Sequence, residues 1–154
     1  MQRRHFLKNT MATGAAVLAA SSGLLVPGQV LAAYNQAAFD AKDVPSAIKG
    51  ALGSDTAEAS DKIKIKAPDI AENGAVVPVT ISSTLGDVRS ITIISEKNGT
   101  PLIAKFNLGA GSEAYVSTRI KMGKTSNIIA VCESGGKLYK AHKEVKVTIG
   151  GCGG

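Results

Sequence analysis

The chain has no tryptophan, three phenylalanines, three tyrosines and only two cysteines in 154 residues. An interior without large rings has to be filled by Val, Ile, Leu and Ala. Of two histidines only His142 lies beyond the first 32 residues, and the carboxylates form no cluster, so little is on offer for acid–base catalysis. Cys132, Cys152 and His142 supply too few ligands at ordinary spacings for a metal site. Neither a Cys-x-x-Cys redox pair nor a haem-binding Cys-x-x-Cys-His occurs. Long, strongly periodic helices are missing too. The basic excess is mild: the net charge is +6, and with Arg3, Arg4 and Lys8 set apart, fifteen basic residues face twelve acidic ones. No basic cluster with interleaved aromatics is present in the sequence, which argues against a nucleic-acid binder.

What is present begins with a leader. Residues 2–8 read Gln2-Arg3-Arg4-His5-Phe6-Leu7-Lys8, an arginine pair followed by an apolar doublet and a lysine, the pattern of a twin-arginine export signal. A mildly apolar run from Met11 to Leu31 follows, broken by Gly14, Gly23 and Pro27. Val30-Leu31-Ala32 then offers a cleavage site after Ala32. The threonines, serines and glycines of the run, with that site, weigh against a retained transmembrane anchor. The expected organisation is a signal peptide at 1–32, one domain at 33–149 and an arm at 150–154, with the mature protein in the periplasm.

Tyr34 to Leu52 is the one helical stretch. Phe39, Val44, Ala47, Ile48, Ala51 and Leu52 approximate one apolar face, Asp43 or Ser46 serves as a cap, and Gly53 is the stop. Residues 53–61 read as a polar loop. From Lys62 the apolar period becomes two. Strands are expected from Lys62 to Pro68, at Val76–Ser82, Val88–Ser95, Leu102–Phe106, Tyr115–Met122, Ile128–Glu133, Leu138–Ala141 and Val145–Ile149. Asn73-Gly74, Asn98-Gly99 and Gly135-Gly136 mark turns, the second of them a hairpin turn, and Pro78 belongs at an edge or bulge because it has no N–H to donate. Short strands at such spacing imply an all-β fold: an immunoglobulin-like, two-sheet antiparallel β-sandwich with a short N-terminal helical segment.

The chemistry concentrates at Gly150-Gly151-Cys152-Gly153-Gly154. Glycines on both sides of a thiol give a thin, freely swinging arm, with Gly150, Gly151, Gly153 and Gly154 as hinges. Five residues beyond Ile149 reach roughly 16–18 Å. An arm of this kind suits a carrier, whose thiol stays quiet until a partner's pocket activates it. Cys132 lies in the apolar run Ile128-Ile129-Ala130-Val131-Cys132, where a thiol behaves as a small hydrophobe; a Cys132–Cys152 disulfide is its main rival. Two other classes compete with a carrier: a thiol oxidoreductase, disfavoured by the lack of a resolving cysteine next to Cys152, and an exported immunoglobulin-like interaction module with an incidental tail.

Three stretches resemble the SoxY sulfur carriers of the thiosulfate-oxidising system: Ala67-Pro68-Asp69-Ile70-Ala71-Glu72-Asn73-Gly74 leading into Val76–Ile81, Thr118-Arg119-Ile120-Lys121-Met122, and Val145 to Gly154 with its terminal Gly-Gly-Cys-Gly-Gly. The resemblance implies a subunit that is not itself an enzyme and has no cofactor apart from the sulfur intermediate held covalently on Cys152. It implies a heterodimer with a SoxZ-like partner. It also implies that a haem-containing enzyme, SoxXA, loads thiosulfate, that a hydrolase, SoxB, removes sulfate, and that in some organisms a sulfane dehydrogenase, SoxCD, oxidises the sulfur that remains. Cys132 departs from the family's pattern.

Overall fold

Ile63-Lys64-Ile65-Lys66 has one side suited to a core and one to water. In the computed structural model, which describes residues 35–149, it is a strand laid antiparallel to another of the same pattern. In chain order the elements are α1 (Gln36–Asp40), α2 (Val44–Leu52), β1 (Glu58–Ala59), β2 (Ile63–Lys66), β3 (Ile70–Ala71), β4 (Val77–Ser83), β5 (Val88–Ser95), β6 (Leu102–Asn107), β7 (Tyr115–Ile120), β8 (Ser126–Ser134) and β9 (Lys137–Val147). The larger sheet runs β1-β9-β8-β5-β6, with β3 also on β9, and the smaller runs β2-β4-β7. The expected two-sheet sandwich with a short helical segment is what the chain forms.

Between the sheets, Ile63 of β2, Val77, Val79 and Ile81 of β4 and Val116 and Ile120 of β7 meet Ile91 and Ile93 of β5, Ile128, Ala130 and Cys132 of β8 and Val145 of β9. Each isoleucine taken fully out of water stabilises the fold by about 1.5–3 kcal/mol. The other face of the small sheet stays wet through Lys64, Ser117 and Arg119, as the alternation requires. The larger sheet is covered again on its outer side, where Ala38, Ala47 and Ile48 of the helices pack on Ile94, Leu102, Val131 and Leu138. This double cover explains why β5 is buried at every position except Arg89, its serines and threonine included.

Local chemistry sets the helical ends. Asp43 accepts the Ser46 N–H at 2.9 Å, Pro45 sits in the first turn, and Gly53 closes α2 in the left-handed conformation at φ 78°. Its hydrogen bonds from Ser46 hold the Asp43 carboxyl below its ordinary pKa. Gly50 is the point of closest helix approach, since a Cβ there would lie 2.8 Å from the Ala38 Cα. Lys105 of β6 donates to the Ala51 carbonyl at 3.0 Å and ties the helix to the sheet.

The structure differs from expectation at several places. Leu138–Ala141 and Val145–Ile149 are one strand, β9, continuous from Lys137 to Val147. Two short strands, β1 within the expected loop and β3, pair parallel with β9 and add to the antiparallel ladders. Pro78 stands on the central strand of its sheet, yet beyond Thr80, where pairing with β2 has ended. It therefore faces a local edge, which resolves its missing N–H. Asn98-Gly99 does lie in the hairpin connection between β5 and β6, as expected, but that connection is a six-residue loop, 96–101, in which Gly99 has no positive φ. Gly135-Gly136, at φ 56° and 76°, is a two-residue turn, with Ser134 opposite Lys137 and both centres in the conformation of type I′.

Candidate functional site

The interest of β9 lies in where it leads, since Cys152 follows Ile149 by three residues. Pro68 ends the run of β2, and the chain then turns alongside the end of β9. Lys146 N–H donates to the Asp69 carbonyl at 2.9 Å, Thr148 N–H to Ala71 at 3.1 Å, and Gly74 N–H to the Ile149 carbonyl at 2.8 Å. The Thr148 hydroxyl adds a bond to the Glu72 carbonyl at 3.1 Å. Asn73 shapes the bend by accepting the Ala75 N–H at 2.8 Å, an Asx turn. Residues 67–74 thus form a strap along one side of the root.

The other side is held as well. Val147 N–H donates to the Thr125 hydroxyl at 2.9 Å, and Met122 N–H donates to the Gly74 carbonyl at 2.7 Å, joining the strap to the end of β7. Lys143 reaches the Ala67 carbonyl at 2.7 Å and the Asp69 carboxylate at 3.0 Å. Asp69 is largely exposed, so the carbonyl bond carries more of that contact than the ion pair. At about 0.5–1.5 kcal/mol for each internal hydrogen bond, the set is ample to keep the root from fraying. Around it Ile70, Val76 and Ile149 are 58%, 54% and 64% exposed.

Cys132 is placed elsewhere. It is a free cysteine, fully buried between the sheets. Burial pushes its thiol up to about 11, against a smaller opposite effect of a hydrogen bond with Ser83. Its partner across the ladder is Tyr139, ten residues before Ile149, which at about 3.3 Å per residue is roughly 30 Å from the root. Three residues past Ile149 reach only about 10 Å. A bridge from Cys132 to Cys152 within one chain would require β9 to unravel, and the disulfide alternative is set aside. His142 pairs with Ile129 on the outer side of the sheet whose inner side carries Cys132, so these two groups do not converge.

Cys152, Gly150, Gly151, Gly153 and Gly154, like Arg3, Arg4 and the cleavage site after Ala32, lie outside the described residues. From sequence, no role falls to the strap residues Asp69 and Glu72 or to the threonines Thr125 and Thr148. Pro68 and Asn73-Gly74 were visible as breaks, but nothing in them says that the segment between lies along β9.

A sandwich that fastens its last strand from both sides, immediately before a glycine-flanked cysteine, defines a class of scaffold that fixes the departure point of a short chain segment. The profile of the family described as sulfur oxidation protein SoxY matches residues 48–152, a span that includes the strap, β9 and Cys152. The chain belongs to this family. Among solved structures, the sulfur carrier protein SoxY from Chlorobium limicola f thiosulfatophilum is 43% identical with a TM-score of 0.64, covering 71% of this chain and 96% of the other. Comparison with curated sequences finds no match.

Proposed function

We propose that this protein is a sulfur carrier that holds thiosulfate-derived intermediates covalently on Cys152 and presents them to other proteins, and is not itself an enzyme. The observation that carries this reading is the fastening of the chain just before Cys152: β9 is held from both sides through Val147, and the strap alone holds on as far as Ile149. A fixed root with a glycine-flanked thiol beyond it gives the sulfur a defined radius of presentation. In loading, the Cys152 thiol and thiosulfate join through a new S–S bond, with one proton released and two electrons passed to an oxidising haem partner. In unloading, water cleaves the outer S–S bond to give sulfate, two protons and a persulfide on Cys152. No resident cofactor is needed, because the sulfur is cargo.

Cys132 suits this role by staying out of it. A carried sulfane sulfur exchanges with thiolates, and a protonated thiol buried roughly 30 Å away, beyond the reach of Cys152, offers no competing acceptor in the same chain. The proposal extends to a heterodimer with a SoxZ-like subunit, formed before export through the twin-arginine signal at Arg3 and Arg4, and to a periplasmic site of action with loading, hydrolytic and sulfane-oxidising enzymes as visiting partners.

Intact-protein mass spectrometry of the exported protein tests the carrier role. Sulfur adducts are expected, mapped to Cys152 and absent from Cys152→Ser. Adducts that persist in that variant refute it. Replacing Arg3 and Arg4 by lysine is expected to leave both subunits in the cytoplasm, and a partner that still reached the periplasm would refute export as a complex.

A further inference from the structure

Four lysines far apart in sequence meet at the same end of the sandwich as the root. Lys97 follows β5, Lys121 and Lys124 follow β7, and Lys42 comes from the link between the helices; together with Asn98 and Gly123 they line an open cleft of about 680 Å³. Asn98 is its organiser. Its side chain donates to the Lys121 carbonyl at 2.7 Å and accepts the Gly123 N–H at 2.9 Å, pinning the two lysine-bearing loops together. None of the four ammonium groups has an ion-pair partner among the described residues. The carboxylates next to them in sequence are engaged elsewhere: Asp43 caps α2, and Glu96 accepts the Asn127 side-chain N–H at 2.9 Å. Cations gathered in this way repel one another until an anion enters. The lining has no aromatic ring on which a base could stack.

The cleft is within reach of Cys152. Ile149, Gly74 and Met122 are hydrogen-bonded neighbours in a row, and two strand spacings of about 4.8 Å put Met122 about 10 Å from Ile149. Lys121 and Gly123 flank Met122 in the chain. Three residues span about 10 Å, the distance from Ile149 to Cys152. We propose that this lysine cleft is a binding subsite for the sulfonate end of a sulfur oxoanion, taken either free from solution or as the –S–SO3− group carried on Cys152. The inference rests on the carrier reading and adds to it a resting place for the loaded arm. The volume exceeds that of one sulfonate and leaves room for the glycine-flanked cysteine that carries it.

The test uses the exported protein as purified, with any subunit that accompanies it. Tetrathionate loads the thiol directly: the Cys152 thiolate displaces thiosulfate and keeps the other S–SO3− half, with atoms and charge balanced and no further oxidant required. Backbone amide signals of Gly99 and Gly123 are followed by NMR in two arms, the tetrathionate-loaded protein and Cys152→Ser titrated with inorganic thiosulfate against chloride at equal ionic strength. Each arm is repeated with Lys97→Gln, Lys121→Gln and Lys124→Gln combined. These side chains have no bonded partners among the described residues, and the Lys121 carbonyl that Asn98 uses is backbone, so the fold is expected to persist.

Shifts at both glycines are expected in the loaded protein and not in its triple variant, and thiosulfate binding is expected to weaken roughly tenfold when the three charges are removed. A response in the loaded arm alone assigns the subsite to the carried group, and a response in both makes it serve either source. If mass spectrometry shows the adduct on Cys152 but neither arm responds, or the triple variant responds equally, the cleft proposal is overturned and the carrier role stands. If Cys152 cannot be loaded at all, the carrier role falls, and the thiosulfate arm alone decides whether the cleft binds the anion.

Discussion

The two ends of the sandwich obey opposite rules. Where β8 passes into β9, the chain reverses in two glycines, Ser134 donates to the Gly86 carbonyl, and Arg89 pairs with Asp87 at 3.1 Å, so polar groups are satisfied by near neighbours. At the other end four lysines stand without carboxylate partners among the described residues, and Ile70, Val76 and Ile149 stay exposed beside a firmly bonded backbone. The difference teaches that the root is rigid in its main chain and unsatisfied in its side chains. That is the combination expected of a surface kept for other molecules.

Breaking this contrast calls for changes at one end that leave the other intact. Cys152→Ser has the largest expected effect, complete loss of sulfur loading with an unchanged melting temperature, checked by intact mass and thermal denaturation. Replacing Gly135 and Gly136 by valine forces β-branched residues into positive φ at about 1–2 kcal/mol each. The melting temperature should fall, and loading, measured well below it, should remain as in the parent protein.

Cys132 provides a pH test at the closed end. An unfolded thiol ionises near 9.0, whereas the buried one requires about 11. Above 9 the unfolded state therefore releases its proton first, and stability is lost as pH rises from 9 to 11, by up to about 2–3 kcal/mol at 1.36 kcal/mol per pH unit. Cys132→Ala should remove that part of the decline, seen in denaturant titrations across the window. At neutral pH it should cost about 1 kcal/mol with sulfur loading retained. The smallest effect is expected from Thr125→Val, which deprives Val147 of its hydroxyl acceptor at a cost of about 1 kcal/mol. Faster hydrogen exchange at the Val147 amide and a modest slowing of loading would show that root rigidity contributes to transfer. Faster exchange with unchanged loading would separate the two.

The period-two alternation of β2, β4 and β7 was legible because each has one wet face and one dry. The joining of β9 was not. Ala141-His142-Lys143-Glu144 carries the strand across a stretch with almost no apolar mark, and Lys143 sits on the inward side only because the Ala67 carbonyl receives its ammonium. A sequence shows the lysine and not the carbonyl waiting for it. For the same reason β1 and β3 escaped notice: two-residue strands have no periodicity, and their pairing with β9 defines them. The Gly-Gly-Cys-Gly-Gly motif announced itself. The lysine cleft did not, since residues 42, 97, 121 and 124 form no run, and the bonds of Asn98 that join the loop of Lys97 to that of Lys121 and Lys124 are invisible in sequence.

The unbroken course of β9 also has a mechanical meaning. In the proposed carrier role, a partner that drew on the segment after Ile149 would put tension along the strand axis, while the bonds to β8 lie across it. Such a pull loads the whole ladder in shear, together with the short parallel contacts on the far side, instead of opening it one bond at a time like a zip. The strand that leads toward Cys152 would thus serve as an anchor cable, a tug at its end being shared by the length of the sheet.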